Sequence, residues 1–136
     1  MMQEDQNTIQ ISTEIDFVTI RSLIRRAAIE AGFGTTDVTR IVTAASELAR
    51  NAFRFAGGGD MHWRQVETDS ALGIELTVED KGPGIPNIEQ AMQQGYTTGN
   101  GLGLGLPGTK RLMNDMVIRS EVGRGTTVTV RKWRKR

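Results

Sequence analysis

The chain has no cysteine and a single histidine. Without cysteine, neither a disulfide framework nor a thiolate zinc site can form. With one histidine, His62, and no nucleophile elbow, no Ser-His-Asp arrangement can be defended; His62 itself reads as a strand residue. Aromatic residues make up only 5% of the chain, and Trp63, Tyr96 and Trp133 are too scattered to form a stacking platform for bases, so no nucleic-acid partner is expected. No apolar run approaches the ~20 residues that span a bilayer, which removes a membrane role. The opening Met1-Met2-Gln3-Glu4-Asp5-Gln6 is polar and acidic, unlike a signal peptide. These absences lead to the expectation of a cytoplasmic protein.

What is present is enough for one domain. At 136 residues the chain can bury a core of its own, and no linker divides it. The formal charge of +1 hides an asymmetry, because residues 131–136 hold five of the 17 basic side chains and no acid. Such a basic tail can meet nucleic acid, a membrane surface or an acidic partner, or simply solubilise a chain end. The alternation leading to Trp133 suggests that much of it continues a strand.

Hydrophobic periodicity sets out the elements. Ile9 and Ile11 alternate with polar neighbours in a first strand, Thr8 to Thr13. Asp16 then opens a helix with Phe17, Ile20, Ile24, Ala27 and Ala31 at helical spacing, stopped at Gly32-Phe33-Gly34. Thr36 is the expected N-cap of a longer helix that carries Val38, Ile41, Ala45, Leu48, Ala52 and Phe55 and ends at Gly57-Gly58-Gly59. Strands are expected over 61–67 and 72–79, a short helix capped by Asn87, and a loop over 95–105. A helix over 106–114 with Pro107 in its first turn follows, then strands over 116–121 and 126–133. This order predicts an α+β fold, a mixed but mostly antiparallel sheet with helices on one face.

Three segments carry candidate chemistry. On the second helix, with Glu47 at 0°, Asn51 falls near about 40° and Arg54 near about −20°, so a carboxylate, an amide and a guanidinium share one face at the edge of the core. Asn51 offers a neutral oxygen suited to Mg²⁺, Glu47 a base for a hydroxyl proton, and Arg54 a partner for phosphate. Next comes Asp80-Lys81-Gly82-Pro83-Gly84, where a carboxylate ends an apolar strand beneath glycines that let a flat ring approach the backbone. Third, Gly99 to Gly108 holds five glycines in ten residues, interleaved with Leu102, Leu104 and Leu106, and leads into a helix whose first amides can hold phosphate oxygens. It lacks the Gly-Lys-Ser/Thr ending of a Walker loop. A Rossmann reading of Gly103, Gly105 and Gly108 also fails, since no strand leads directly into them.

Taken together, Ser46-Glu47-Leu48-Ala49-Arg50-Asn51, Asp80 to Pro86 and Gly101 to Gly108 resemble the N, G1 and G2 boxes of the GHKL superfamily. Within it the resemblance is to the small anti-sigma-factor-type serine/threonine kinases, in particular the stressosome switch kinases, and it covers about residues 8–133. It implies the Bergerat ATP-binding fold, a two-layer α/β sandwich. ATP and Mg²⁺ would be the ligands, with Asn51 holding the metal and Glu47 the catalytic base. Asp80 would take the adenine amino group, with Gly82 and Gly84 shaping the base pocket. Gly101, Leu102, Gly103, Leu104 and Gly105 would form the phosphate lid. Thr126 matches the family threonine near adenine, and Arg54 the basic position of the histidine-kinase N box. In one respect the chain departs from its resemblance to the sporulation kinases: Tyr96-Thr97-Thr98-Gly99-Asn100 has no basic residue where those kinases place an arginine.

The resemblance further implies a kinase that transfers the γ-phosphate of ATP to Ser or Thr of STAS-domain antagonist or scaffold proteins (RsbS/RsbR-like). When released, it would bind and activate a PP2C-type (RsbU-like) phosphatase. Two alternatives stand beside it: an anti-sigma factor that sequesters a sigma factor, and an ATP-sensing adaptor without phosphoryl transfer.

Overall fold

The structure, a computed structural model, describes residues 7–93 and 105–135. Five strands form one sheet: β1 (Asn7–Ile11), β2 (Gly59–Glu67), β3 (Ala71–Asp80), β4 (Asp115–Glu121) and β5 (Gly125–Lys135), in the order β1-β2-β3-β5-β4. Every pairing is antiparallel, the limiting case of the mostly antiparallel sheet expected. The helices are α1 (Ile15–Glu30), α2 (Thr35–Ala56), a single turn α3 (Ile88–Ala91) and α4 (Gly105–Leu112). The long α2 lies across the sheet, with α1 and α4 packed against it.

Side-chain alternation assigns the sheet faces. Ile74, Leu76 and Val78 of β3 and Val128 and Val130 of β5 are buried in one core with Ile20, Ile24 and Ala28 of α1 and Ile41, Ala45, Leu48 and Ala52 of α2. Each fully buried aliphatic side chain contributes about 1.5–3 kcal/mol, so this helix-side core is what holds α2 in place. On the other face Glu75 accepts from Arg64 Nε at 2.9 Å and Arg131 Nε at 2.7 Å, one cross-strand row through β2, β3 and β5. Burial pushes the Glu75 carboxyl up, but the hydrogen bonds from Arg64 and Arg131, and then their charges, outweigh it and hold the group below its ordinary value. His62, a strand residue as expected, lies between Thr8 Oγ1 (2.8 Å) and Glu79 Oε1 (3.0 Å).

Element ends follow local chemistry. Asp16 Oδ2 accepts from the N–H groups of Ser12 (2.8 Å) and Thr13 (2.9 Å), fastening the β1–α1 turn, and those bonds hold its carboxyl below the ordinary value. The second helix starts one residue before the expected Thr36 cap. Gly34 is its N-cap, without a side-chain bond, and its C=O accepts from Val38 at 2.9 Å. Burial of Phe33 in the core sets where the chain turns, and that tertiary contact overrides the capping preference of threonine. Gly57, in the left-handed region, ends α2 by donating to Phe53 O.

The basic C-terminal segment is part of the fold rather than a free arm. Arg131 pairs with Glu75, and Arg134 Nε donates to Ala31 O at 2.8 Å, capping α1. Lys132, its side chain 9% exposed, donates to Leu112 O at 2.9 Å and lies 3.7 Å from Asp37. That lysine ties the C-terminal end of α4 to the first turn of α2, where cations and carbonyls, and acids and amides, are electrostatically matched.

Candidate functional site

A cavity of about 280 Å³ opens between the C-terminal half of α2, the end of β3 and the loop after it, the start of α4 and the start of β5. Its floor is apolar, from Leu48, Ala52, Val78 and Val128, and its polar groups include Asn51, Arg54, Asp80 and Thr126. An apolar slot with a few convergent polar groups is how small-molecule sites are built.

Asp80 is the organising acid. Being the last residue of β3, it is held by the ladder. Its Oδ1 accepts from Gly82 N at 2.9 Å and from Thr126 N at 3.3 Å. Among the described residues no hydrogen bond to Oδ2 is formed. One oxygen thus shapes the loop, and the other takes no part in that bonding. Around it Ser120 Oγ, which sequence reasoning missed, gathers three groups: Ile85 N donates to it at 2.7 Å, it donates to Gly125 O at 3.2 Å, and Thr126 Oγ1 lies 2.8 Å away. Nothing in the sequence around Ser120 marks it, because its role arises only when β4 meets the Asp80 loop.

The loop glycines have distinct duties. Gly84 has φ +81°, and a Cβ there would lie 2.5 Å from Glu121 O; only glycine permits this close passage of loop against hairpin. At Gly82 a Cβ would lie 2.5 Å from Ala56 Cβ, so its absence lets the loop press on the end of α2. Gly84 lines the cavity and Gly82 does not.

On α2 the shared face holds in part. Asn51 and Arg54 line the cavity, with the Arg54 guanidinium carbon 5.6 Å from the centroid of the Phe55 ring. Glu47, one turn earlier, is 7% exposed, lies outside the cavity lining and accepts from Arg50 Nη1 at 3.2 Å. Gly105 and Leu106 bring the start of α4 to the cavity wall. The structure therefore brings together Asn51, Arg54, Asp80, Gly84, Gly105 and Thr126, with Glu47 alongside. Gly101, Leu102, Gly103 and Leu104 lie outside the described residues. Phe55, Ile85, Pro86, Asn87 and Gln90 also line the cavity. Phe55 belongs to the apolar stripe read on α2, Ile85 and Pro86 to the segment Asp80 to Pro86, and Asn87 provides the expected cap, accepting from Gln90 N at 2.9 Å; Gln90 alone carries no sequence signal.

Among the described residues no cluster of three or more His, Cys, Asp or Glu is placed to hold a metal. That donor set does not suit a cation caged by protein carboxylates. It fits Mg²⁺, which keeps waters and phosphate oxygens and needs only one or two protein ligands, with the Asn51 amide as the candidate.

The chain belongs to the histidine kinase-, DNA gyrase B-, and HSP90-like ATPase family, whose profile matches residues 36–136, and with that membership goes ATP binding. Within it the chain is an RsbT-like serine/threonine kinase. It is 47% identical over 129 residues to the serine/threonine-protein kinase RsbT of Bacillus subtilis (strain 168), covering 95% of this chain and 97% of that protein. It is also 34% identical over 103 residues to the anti-sigma F factor of Geobacillus sp. (strain WCH70), covering 71% of this chain and 70% of that one. Among solved structures, the RsbU and RsbW domains of Rv1364c from Mycobacterium tuberculosis match with a TM-score of 0.61 at 20% identity. That match covers 96% of this chain but only 33% of the larger protein, and it bears on the fold alone. No helix among the described residues is long and apolar enough to cross a membrane.

Proposed function

We propose that this chain is a partner-switching protein kinase that transfers the γ-phosphate of ATP to Ser or Thr of a STAS-domain antagonist protein. The observation that carries the reading is the union of Asp80, Thr126, Asn51 and Arg54 round one apolar cavity with Glu47 one helical turn away. Adenine lies on Leu48, Val78 and Val128, its exocyclic amine donating to Asp80 Oδ2. Mg²⁺, when bound at Asn51, neutralises phosphate charge. Arg54 takes a phosphate oxygen. Gly82 supports the Asp80 loop from behind rather than touching the base.

Glu47 accepts the proton of the acceptor hydroxyl as its oxygen bonds to the γ-phosphorus. The bond from that phosphorus to the bridging oxygen breaks, and ADP carries the electron pair away. Phosphoryl transfer of this kind depends on positioning and charge stabilisation more than on covalent help from the protein. Because the stretch 96–100 supplies no cation, Arg54 and a group from the acceptor carry more of that charge, and turnover without the partner is slow. Release from the phosphorylated partner then frees the chain to activate a PP2C-type phosphatase, as the likeness to RsbT supports.

The likeness to the anti-sigma F factor favours a second reading, sequestration of a sigma factor with phosphorylation as the reset. Incubating the chain with γ-labelled Mg-ATP and STAS-domain proteins encoded beside it separates the two. Label on Ser or Thr of one of them, lost with Glu47→Ala while ATP still binds, supports the kinase. ATP binding with no transfer, together with co-purification of a sigma factor, supports sequestration.

A further inference from the structure

Glu47 and Arg50 are three residues apart on α2, with Arg50 Nη1 3.2 Å from Glu47 Oε1. Pairs at this spacing on an exposed helix face are weak and usually do nothing more. This one is asymmetric. The Glu47 side chain is 10% exposed and that of Arg50 41%, so a cation reaching in from solvent meets a carboxylate already buried in the packed face of the helix. A buried charge is costly unless it is paired and hydrogen-bonded, and a glutamate has three side-chain torsions to fix before it can present an oxygen to anything.

We infer that Arg50 is a positioning residue for the phosphoryl-transfer reaction: by holding Oε1 it fixes the orientation from which the Glu47 carboxylate takes the acceptor's proton. The inference rests on the proposed role of Glu47 as base. The next polar residues on the same face, Asn51 and Arg54, line the cavity, so α2 delivers base, base-holder and phosphate contacts within two turns. Arg50 acts through Glu47 and not on ATP, so its loss lowers kcat and leaves nucleotide affinity alone.

The test is a double-mutant cycle on the full chain with Mg-ATP as the probe. ADP formation is measured with and without a STAS-domain protein, and ATP affinity by calorimetry. Misplacing a reacting group by about 1 Å costs on the order of 100-fold, so Arg50→Ala should lower kcat by about 10- to 100-fold with Kd for ATP within about twofold. Arg50→Lys, which keeps a single donor, should recover much of the rate. In the Glu47→Ala background, Arg50→Ala should have no further effect, because there is nothing left to position. Four results overturn the inference. Arg50→Ala turning over like wild type while Glu47→Ala is inactive removes Arg50 alone. An Arg50→Ala loss that persists undiminished in the Glu47→Ala background makes Arg50 a direct partner of phosphate. A Kd raised in step with the fall in kcat makes it a nucleotide ligand. Full activity of Glu47→Ala, or no ADP from the wild type in either condition, removes the underlying reading and the positioning role with it.

Discussion

Replacing Asp80 by asparagine should separate recognition of the base from the architecture of the site. In the folded chain Oδ1 accepts from Gly82 N at 2.9 Å and Thr126 N at 3.3 Å, and the amide oxygen of asparagine can take over those two bonds. The loop should therefore persist. What changes is the outward atom, from an anionic acceptor to an NH₂ group that meets the adenine amine donor to donor. Losing a hydrogen bond to a charged group costs about 1.5–3 kcal/mol, which corresponds to about a 10- to 150-fold rise in Kd. Calorimetric titration with ATP gives that number directly. A thermal melt within a few degrees of wild type, a range that corresponds to about 1 kcal/mol or less for a domain this size, shows that the fold is intact. An Asp80→Asn variant that melts normally and binds ATP as tightly as wild type would refute the assignment of this carboxylate to the base, and with it the orientation of the nucleotide.

Two further outcomes concern the frame around the site. Glu75 is held below its ordinary value of 4.5, so it stays ionised in the fold at pH values where the unfolded chain would protonate it; its contribution is complete above the unfolded value and fades as pH falls through the folded one. Glu75→Gln should therefore lower the melting temperature at pH 7, by about 1–2 kcal/mol of stability given the half-exposed arginines. The gap from wild type should narrow as the pH falls below 4.5 and through the lowered value of the folded state, and a gap as wide in acid as at pH 7 would contradict the ion-pair account. Gly84→Ala places a side chain at φ +81° and 2.5 Å from Glu121 O. Strain of about 1–2 kcal/mol from the backbone alone should show as a melting temperature lower by several degrees and weaker ATP binding, whereas an unchanged melt would mean the loop can move aside.

The parts of this fold legible in the sequence are those set by local pattern. The apolar stripe of α2 identified its buried face from Val38 to Ala52, whereas Phe55, on the same stripe, is 41% exposed beside the cavity; alternation along 72–79 and 126–133 identified the two central strands. Asp80 at a strand end before two glycines marked the cavity's anchor. What the sequence hid were consequences of distant residues meeting. Phe33 docking in the core moved the start of α2 to Thr35, against the preference for a threonine cap. Ser120 became a hub only because β4 pairs beside the Asp80 loop. The run Arg131-Lys132-Trp133-Arg134 looks like a basic arm in one dimension, yet each cation in it has a fixed partner (Glu75, the end of α4, the end of α1) supplied by another part of the chain. Helical angles placed Glu47 with Asn51 and Arg54 but could not show that Glu47 is covered while the other two face the cavity, because burial is set by tertiary packing and not by position on the helix.

A crystal structure of the chain with a non-hydrolysable ATP analogue and Mg²⁺ would show all of these contacts at once. The account predicts the adenine amino group within hydrogen-bond distance of Asp80 Oδ2, the metal on the Asn51 amide oxygen, a phosphate oxygen on Arg54 and the Glu47 carboxylate beside the terminal phosphate. A nucleotide bound outside the cavity between α2 and the Asp80 loop, or a terminal phosphate remote from Glu47, would contradict it.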